Sequence, residues 1–443
     1  VLSVGIASTG ALTFAYFAIA SHVLGEVSAK RIDLLWSIMF VTISVIYRPI
    51  EQLLSRTIAE RRARASGEQP LRVPIAIQAT FALLFAVAAL ALRHALTVHV
   101  FNHHAALYWV LFAGTLAYAA SYFARGWLAG YEYFALFGGL VLMESVSRLC
   151  FALAAAIGIA GGQTFVALGI VAAPLVSLVV VPAAFARRGR ERRGSPDIEE
   201  LDAALAGPGT EGVEEAVVSR ELTLQRGSRF ALAVSGVMLA EQTLLNAAVL
   251  TVDATAASAA LAGIVFNVLL IARAPLQLFQ AIQTSLLPHL TGLEATDGRE
   301  AFGRAIRVTV LAIAAFALAV ALALLAVGPF AMKHLFGQHY DYNRFGLALI
   351  GLGMGAHLIS GALNQATLAR DQARAAAVCW LLAAAAFLGW MVAPIVDNQL
   401  LRTEIGYLGA TALLAALLTV VYRRERSAAD GRHSAPAAST IAR

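Results

Sequence analysis

Apolar runs of about 20 residues, the length that crosses the hydrocarbon core of a bilayer, recur about a dozen times in this 443-residue chain. No soluble fold of this size needs so much apolar surface: 59% of the residues are hydrophobic and only 14% are charged. The reading is an all-α polytopic membrane protein of about twelve transmembrane helices. The first six spans run at about Val1–Leu24, Leu34–Arg56, Val73–Leu92, Ala105–Ala124, Phe134–Ala160 and Gln163–Phe185. The second six run at about Phe230–Thr251, Ala256–Leu290, Ala305–Ala331, Phe345–Ala366, Ala375–Ile395 and Glu404–Tyr422. Residues 1–186 form a first six-helix bundle, 187–229 a cytoplasmic linker, 230–422 a second bundle, and 423–443 a disordered cytoplasmic tail. The linker is basic at both ends and acidic in the middle, and Pro208 and Gly209 interrupt it. No cleavable leader is evident in the sequence; the chain begins directly in a span at Val1, so a few cytoplasmic residues are expected to precede it.

The two halves share a pattern. At an offset of 226 positions, Leu261, Ile264, Phe266 and Pro275 fall on Leu35, Ile38, Phe40 and Pro49, and Gly236 falls on Gly10. One offset serving successive helices points to two repeats around a central cavity, each with a polar, proline-bent helix. Six spans per repeat make the repeats parallel, related by an axis along the membrane normal. Arginine placement sets the orientation: with the N-terminus inside, the loops after the even spans and the tail are cytoplasmic and hold the large clusters, such as Arg61, Arg62 and Arg64. Trp109, Trp127 and Trp390 sit near span ends, as interfacial tryptophans do.

An ionisable side chain at mid-bilayer costs about 2.5–3.5 kcal/mol on insertion scales and so faces a cavity, a partner or water. The candidates are Arg48 and Glu51 in span two, Glu144 and Arg148 in span five, Glu241 in span seven and Arg273 in span eight. Arg48, Gln52 and Arg56 make one stripe, with Arg56 expected to snorkel. Arg273, Gln277, Gln280 and Thr284 make another, suited to a wet cavity. Glu144 and Arg148, four apart, share a helix face and read as a neutralised pair or a gate. Glu241, Gln242 and Asn246 make span seven polar, through hydrogen bonds across helices or a proton-carrying role for Glu241. Arg125, at the end of span four, is expected at the interface, where it either stays solvated or recruits an anionic headgroup. His103 and His104 belong to an external, solvated turn. Gly351, Gly353 and Gly355 permit close helix approach.

There is no GxxxxGK[ST] loop, no HExxH and no carboxylate cluster on a soluble segment. An enzyme is therefore not expected, nor is a cofactor. Cys150 and Cys379 lie in apolar windows and form neither a metal-ligand spacing nor a disulfide framework. The net charge of +6 is mostly arginine at span ends, which speaks for membrane orientation and against a nucleic-acid partner.

Several stretches resemble the polysaccharide flippases of the multidrug/oligosaccharidyl-lipid/polysaccharide exporter superfamily. They are HVLGEVSAKRIDLLWSIMFVTISVIYRPIEQLLSR and YFARGWLAGYEYFALFGGLVLMESVSRL in the first half, and ARAPLQLFQAIQTSLLPHLTGLEA, AMKHLFGQHY and ALNQATLARDQARAA in the second. The resemblance implies alternating access around a cationic cavity and export of an undecaprenyl-pyrophosphate-linked oligosaccharide across the bacterial inner membrane, for envelope polysaccharide synthesis. Twelve spans, where lipid II flippases usually carry fourteen, favour an O-antigen or capsule unit. The substrate-binding set would be Arg48, Arg273, Gln277, Gln280 and Arg125, and the gating or ion-coupling set Glu51, Glu144, Arg148 and Glu241. Partners would be the anionic lipid-linked glycan, the bilayer, and envelope glycosyltransferases or a polymerase. Two alternatives stand beside this. One is a cation-coupled multidrug exporter of the same superfamily using Glu51 and Glu241; the other is a non-transporting scaffold of an envelope-synthesis complex.

Overall fold

The computed structural model describes residues 2–24, 26–63, 71–182, 184, 186, 223–255, 298–336, 343–393 and 395–433, with a few positions between 265 and 291. Among these the regular elements are all helices. The first are α1 (Leu2–Leu24), α2 (Glu26–Ile46), α3 (Arg48–Ala63), α4 (Arg72–Ala91), α5 (Ala105–Gly130), α6 (Phe134–Ala156) and α7 (Gln163–Ser177). They are followed by α8 (Leu224–Thr255), α9 (Gly298–Phe336), α10 (Arg344–Ala369), α11 (Ala373–Val392) and α12 (Gln399–His433). Ten described helical stretches are long and apolar enough to cross a membrane, and Ser8–Leu24 is a shorter apolar one. Most of the expected eighth span, with Arg273, Gln277 and Gln280, lies outside the described residues, as do residues 187–222 of the expected linker. α12 runs on to His433, into the stretch expected as a disordered tail.

Helices follow from the solvent. In hydrocarbon, backbone N–H and C=O groups are satisfied most simply inside their own segment. The expected second span is broken where proline dictates. α2 ends at Ile46, Tyr47 is a turn, and α3 begins at Arg48 with Pro49 in its first turn, where a missing N–H costs nothing. Tyr47 N still reaches Ile43 O at 2.9 Å, and Glu51 N reaches Tyr47 O at 3.1 Å.

The chain packs as two compact units, Val1–Ser235 and Gly236–Arg443. In the first unit α1 packs on α6, α5 on α3, and α7 on both α5 and α6. In the second, α10 packs on α9, and α12 on both α10 and α11, so the α5–α7 and α6–α7 pairings return as α10–α12 and α11–α12. The duplication also shows in the corners that follow α5 and α10. Glu132 (φ 61°) and Asp371 (φ 63°) both take the left-handed conformation. Tyr131, Glu132 and Tyr133 donate their N–H groups to Trp127, Ala129 and Leu128. Arg370, Asp371 and Gln372 donate theirs to Ala366, Leu368 and Thr367, at identical spacings.

Glycine sets the closest approach in the second unit. A Cβ on Gly355 would overlap the Ala317 Cβ of α9, and one on Gly353 would lie 2.7 Å from the Tyr407 ring of α12. The Gly355→Ala variant should therefore lose about 1–3 kcal/mol to overpacking, read as a lowered thermal midpoint of purified protein. Ala317→Gly in the same chain should restore it, because the obstacle is a side-chain atom.

Candidate functional site

Charged residues gather inside the first unit. α3 is polar in sequence yet sits almost wholly inside: Glu51, Gln52, Ser55 and Arg56 are buried alongside Ile50, Leu53 and Leu54. It lies against α5 through Gly126, whose absent Cβ would fall 2.8 Å from the Glu51 carbonyl oxygen. Facing α5, α6 supplies Glu144, buried to 3% exposure. Glu144 accepts a hydrogen bond from Ser121 and forms an ion pair with Arg125. The Arg125 guanidinium also lies 4.5 Å from the Tyr122 ring centroid. The Glu51 carboxylate has no hydrogen bond or ion pair among the described residues, and stands in the field of Arg125, Arg48 and Glu144.

These placements correct several expectations. Arg125 is not interfacial: its side chain is 12% exposed and committed to Glu144. Glu144 and Arg148 share a helix but do not pair. Arg148 turns away, donating to Ser145 Oγ at 3.1 Å and Thr13 Oγ1 at 3.4 Å, with its guanidinium 4.2 Å from the Trp36 ring. Arg56 does not snorkel; it is 7% exposed, with its guanidinium 5.3 Å from the Phe230 ring. Trp127 is buried, and its ring packs at 4.8 Å on Tyr131. Arg48 is half-buried and has no hydrogen bond or ion pair among the described residues. Glu241 is buried on α8, where Asn246 Nδ2 donates to Gln242 O, 2.8 Å away along the same helix. In the turn expected to be external, His104 is not merely solvated, since its Nδ1 lies 3.0 Å from Gln163 Nε2.

The second unit holds a polar group that the sequence reading did not single out. Tyr407 Oη lies 3.2 Å from His357 Nδ1, and Trp380 Nε1 donates to Asn364 Oδ1 at 3.1 Å. Glu404 is buried to 3% exposure, with its carboxylate against Gly346. His357 was legible as a polar residue inside the apolar run GMGAHLIS. Glu404 was not, because the apolar run starts there while the helix starts at Gln399. Among the described residues no group of three or more His, Cys, Asp or Glu could hold a metal. Both cysteines are free.

No protein-family model matches the sequence. No curated protein matches it either. Solved structures do match. A mutant of the Vibrio cholerae MATE transporter VcmN aligns with a TM-score of 0.74 at 16% identity, over 96% of this chain and 95% of that one. A multidrug resistance MATE family transporter of the MOP superfamily, in an outward-facing conformation, gives 0.70 at 14% identity, over 96% and 95%. A MOP superfamily transporter from Pyrococcus furiosus gives 0.72 at 14% identity, with the same coverage; its binding pocket is reported to have reverse polarity, suggesting a different function. The chain has the MATE transporter fold. At these identities the likeness covers the path of the backbone and leaves the site residues to be argued from their own geometry.

Proposed function

We propose that the protein is a multi-pass membrane transporter, and that it exports amphiphilic small molecules in exchange for a cation or proton bound at Glu51. The observation that carries this reading is Glu51 itself. It is a carboxyl group buried in a membrane-spanning helix, engaged by no hydrogen bond or ion pair among the described residues, beside an Arg125–Glu144 pair that neutralises itself. Buried carboxyls of this kind in transporters carry protons or ions. The multidrug transporters among the similar folds support the same reading. Arg125, committed to Glu144, is not a free cation for an anionic headgroup, which weighs against the flippase reading.

That second reading keeps one specific support. Arg48 has no carboxylate partner among the described residues, and a guanidinium in a low-dielectric site suits pyrophosphate oxygens. The similar fold with a pocket of reverse polarity fits an anionic cargo equally well. Either cargo places the protein in a cell membrane; for the glycan that membrane is the bacterial inner membrane, with both termini cytoplasmic.

The test is ethidium accumulation in an efflux-deficient bacterial strain. Expression of the wild-type chain should lower the steady-state dye level several-fold. Glu51→Gln should return it to the empty-vector level with the amount of protein in the membrane unchanged. Unchanged dye levels, together with lipid-linked glycan trapped on the inner leaflet of a deletion strain, would replace the exporter with the flippase.

A further inference from the structure

We infer that the first unit contains a binding site for a small inorganic anion of halide type, built around Arg148. The guanidinium carries a positive charge and five N–H donors. It lies about midway along α6, a helix apolar enough to cross a membrane, and the residue is only 4% exposed. Among the described residues no carboxylate pairs with it. Glu144, the nearest acid along the same helix, is taken by Arg125 and Ser121. Of the five N–H donors, those on one terminal nitrogen meet Ser145 and Thr13, and Nε–H is buried with no partner.

The Trp36 ring, 4.2 Å from the guanidinium, contributes a cation–π contact. Such a contact, with the Ser145 and Thr13 hydrogen bonds, offsets only part of the cost of burying an ion. A guanidinium compensated in this way suits an anion as its partner.

One hydroxyl supports the same site from α5. Tyr118 Oη is buried with no hydrogen-bond partner, and Tyr118 lies in the field of Arg148 and, more weakly, of the paired Glu144 and Arg125. A hydroxyl that finds no acceptor in the protein can donate to an anion. The donors then come from α5 and α6, and Trp36 of α2 closes one face. Thr13 of α1 and Ser145, already bonded to the guanidinium, hold it in place. A compact monovalent anion matches a single guanidinium charge, whereas a dianionic phosphate would leave an uncompensated negative charge in the same apolar surroundings. The site is separate from Glu51 and does not depend on which cargo is carried.

The experiment uses the full chain, purified in detergent in gluconate buffer, with sodium bromide as the probe. Trp36 supplies the signal, because it covers the guanidinium. Bromide should change the tryptophan fluorescence along a saturable curve and raise the thermal midpoint relative to gluconate at equal ionic strength. Arg148→Gln should abolish the saturable component, and Tyr118→Phe should raise the half-saturating bromide concentration several-fold. A response that is only linear in bromide, as for collisional quenching of exposed tryptophans, overturns the site. So does a saturable response that Arg148→Gln retains. If Arg148→Gln fails to fold, Tyr118→Phe decides: a raised half-saturation supports the site, and an unchanged one overturns it.

Discussion

Arg125→Leu is expected to remove most of the folded protein from the membrane. The substitution leaves Glu144, 3% exposed and deep in an apolar bundle, with Ser121 as its one remaining hydrogen-bond donor among the described residues. Breaking a buried ion pair from one side costs about 3–5 kcal/mol, because the surviving charge stays buried without its partner. Glu144→Leu should cost a similar amount, since it strands the guanidinium between the Tyr122 ring and the Glu51 field. The double variant Arg125→Leu/Glu144→Leu should recover most of the loss, because two apolar side chains of similar volume replace a self-neutralised pair. Thermal midpoints of the four proteins, compared as a double-mutant cycle, measure the coupling. Costs that simply add would mean that the pair contributes nothing to holding α5 against α6. The same cycle separates folding from transport. A double variant that folds at wild-type level and still exports dye would confine the pair to a structural role, and one that folds without exporting would place it in the ion path beside Glu51.

What the sequence makes legible here follows from how locally each property is encoded. The spans are legible because each is a continuous run of some twenty apolar residues, and the break at Tyr47 because Pro49 cannot continue a helix begun before it. The duplication is partly legible. Identities at one offset mark the early helices, but the corners at Glu132 and Asp371 share little beyond an acidic residue, and only their hydrogen bonds show the likeness. The offset also drifts, because α9 runs to 39 residues where α4 has 20. The candidate site is legible in its membership and not in its pairing. Spacing along one helix favours Glu144 with Arg148. Yet Ser121 and Arg125 project from α5 onto the same carboxylate, and Trp36 offers Arg148 a different face. Contacts between helices outweigh those along one, and nothing local to residues 144–148 records them. Arg56 differs for the same reason: a long cationic side chain near a span end snorkels by default, and an aromatic ring at Phe230 gives it an interior place instead.

The contact that fixes Glu51 beside Arg125 should be the least forgiving in the first unit, and Gly126→Leu should abolish it. Gly126 and Gly130 lie four apart on α5 and form the strip on which α3 rests, the small-residue arrangement that brings membrane helices to close approach. A Cβ at Gly130 would meet the Ile58 Cβ at 2.7 Å. At Gly126 it would meet only backbone, the Glu51 carbonyl oxygen at 2.8 Å and the Glu51 Cα at 2.9 Å. Overpacking commonly costs about 1–3 kcal/mol and is relieved when a neighbouring side chain moves. Here no side chain is available to move, so α3 as a whole must shift from α5 and carry Glu51 away from the Arg125 guanidinium. Gly126→Leu should therefore be lost from the membrane, while the smaller Gly126→Ala should accumulate at reduced stability and lose the dye efflux proposed to depend on Glu51. Truncating the residue opposite separates this contact from Gly355 against Ala317. Glu51→Gly should not restore the thermal midpoint of Gly126→Ala, because the obstructing oxygen belongs to the main chain, whereas Ala317→Gly should restore that of Gly355→Ala. A Gly126→Leu protein with the wild-type thermal midpoint and normal efflux would show that α3 and α5 are not in this contact, and would detach Glu51 from the charge network.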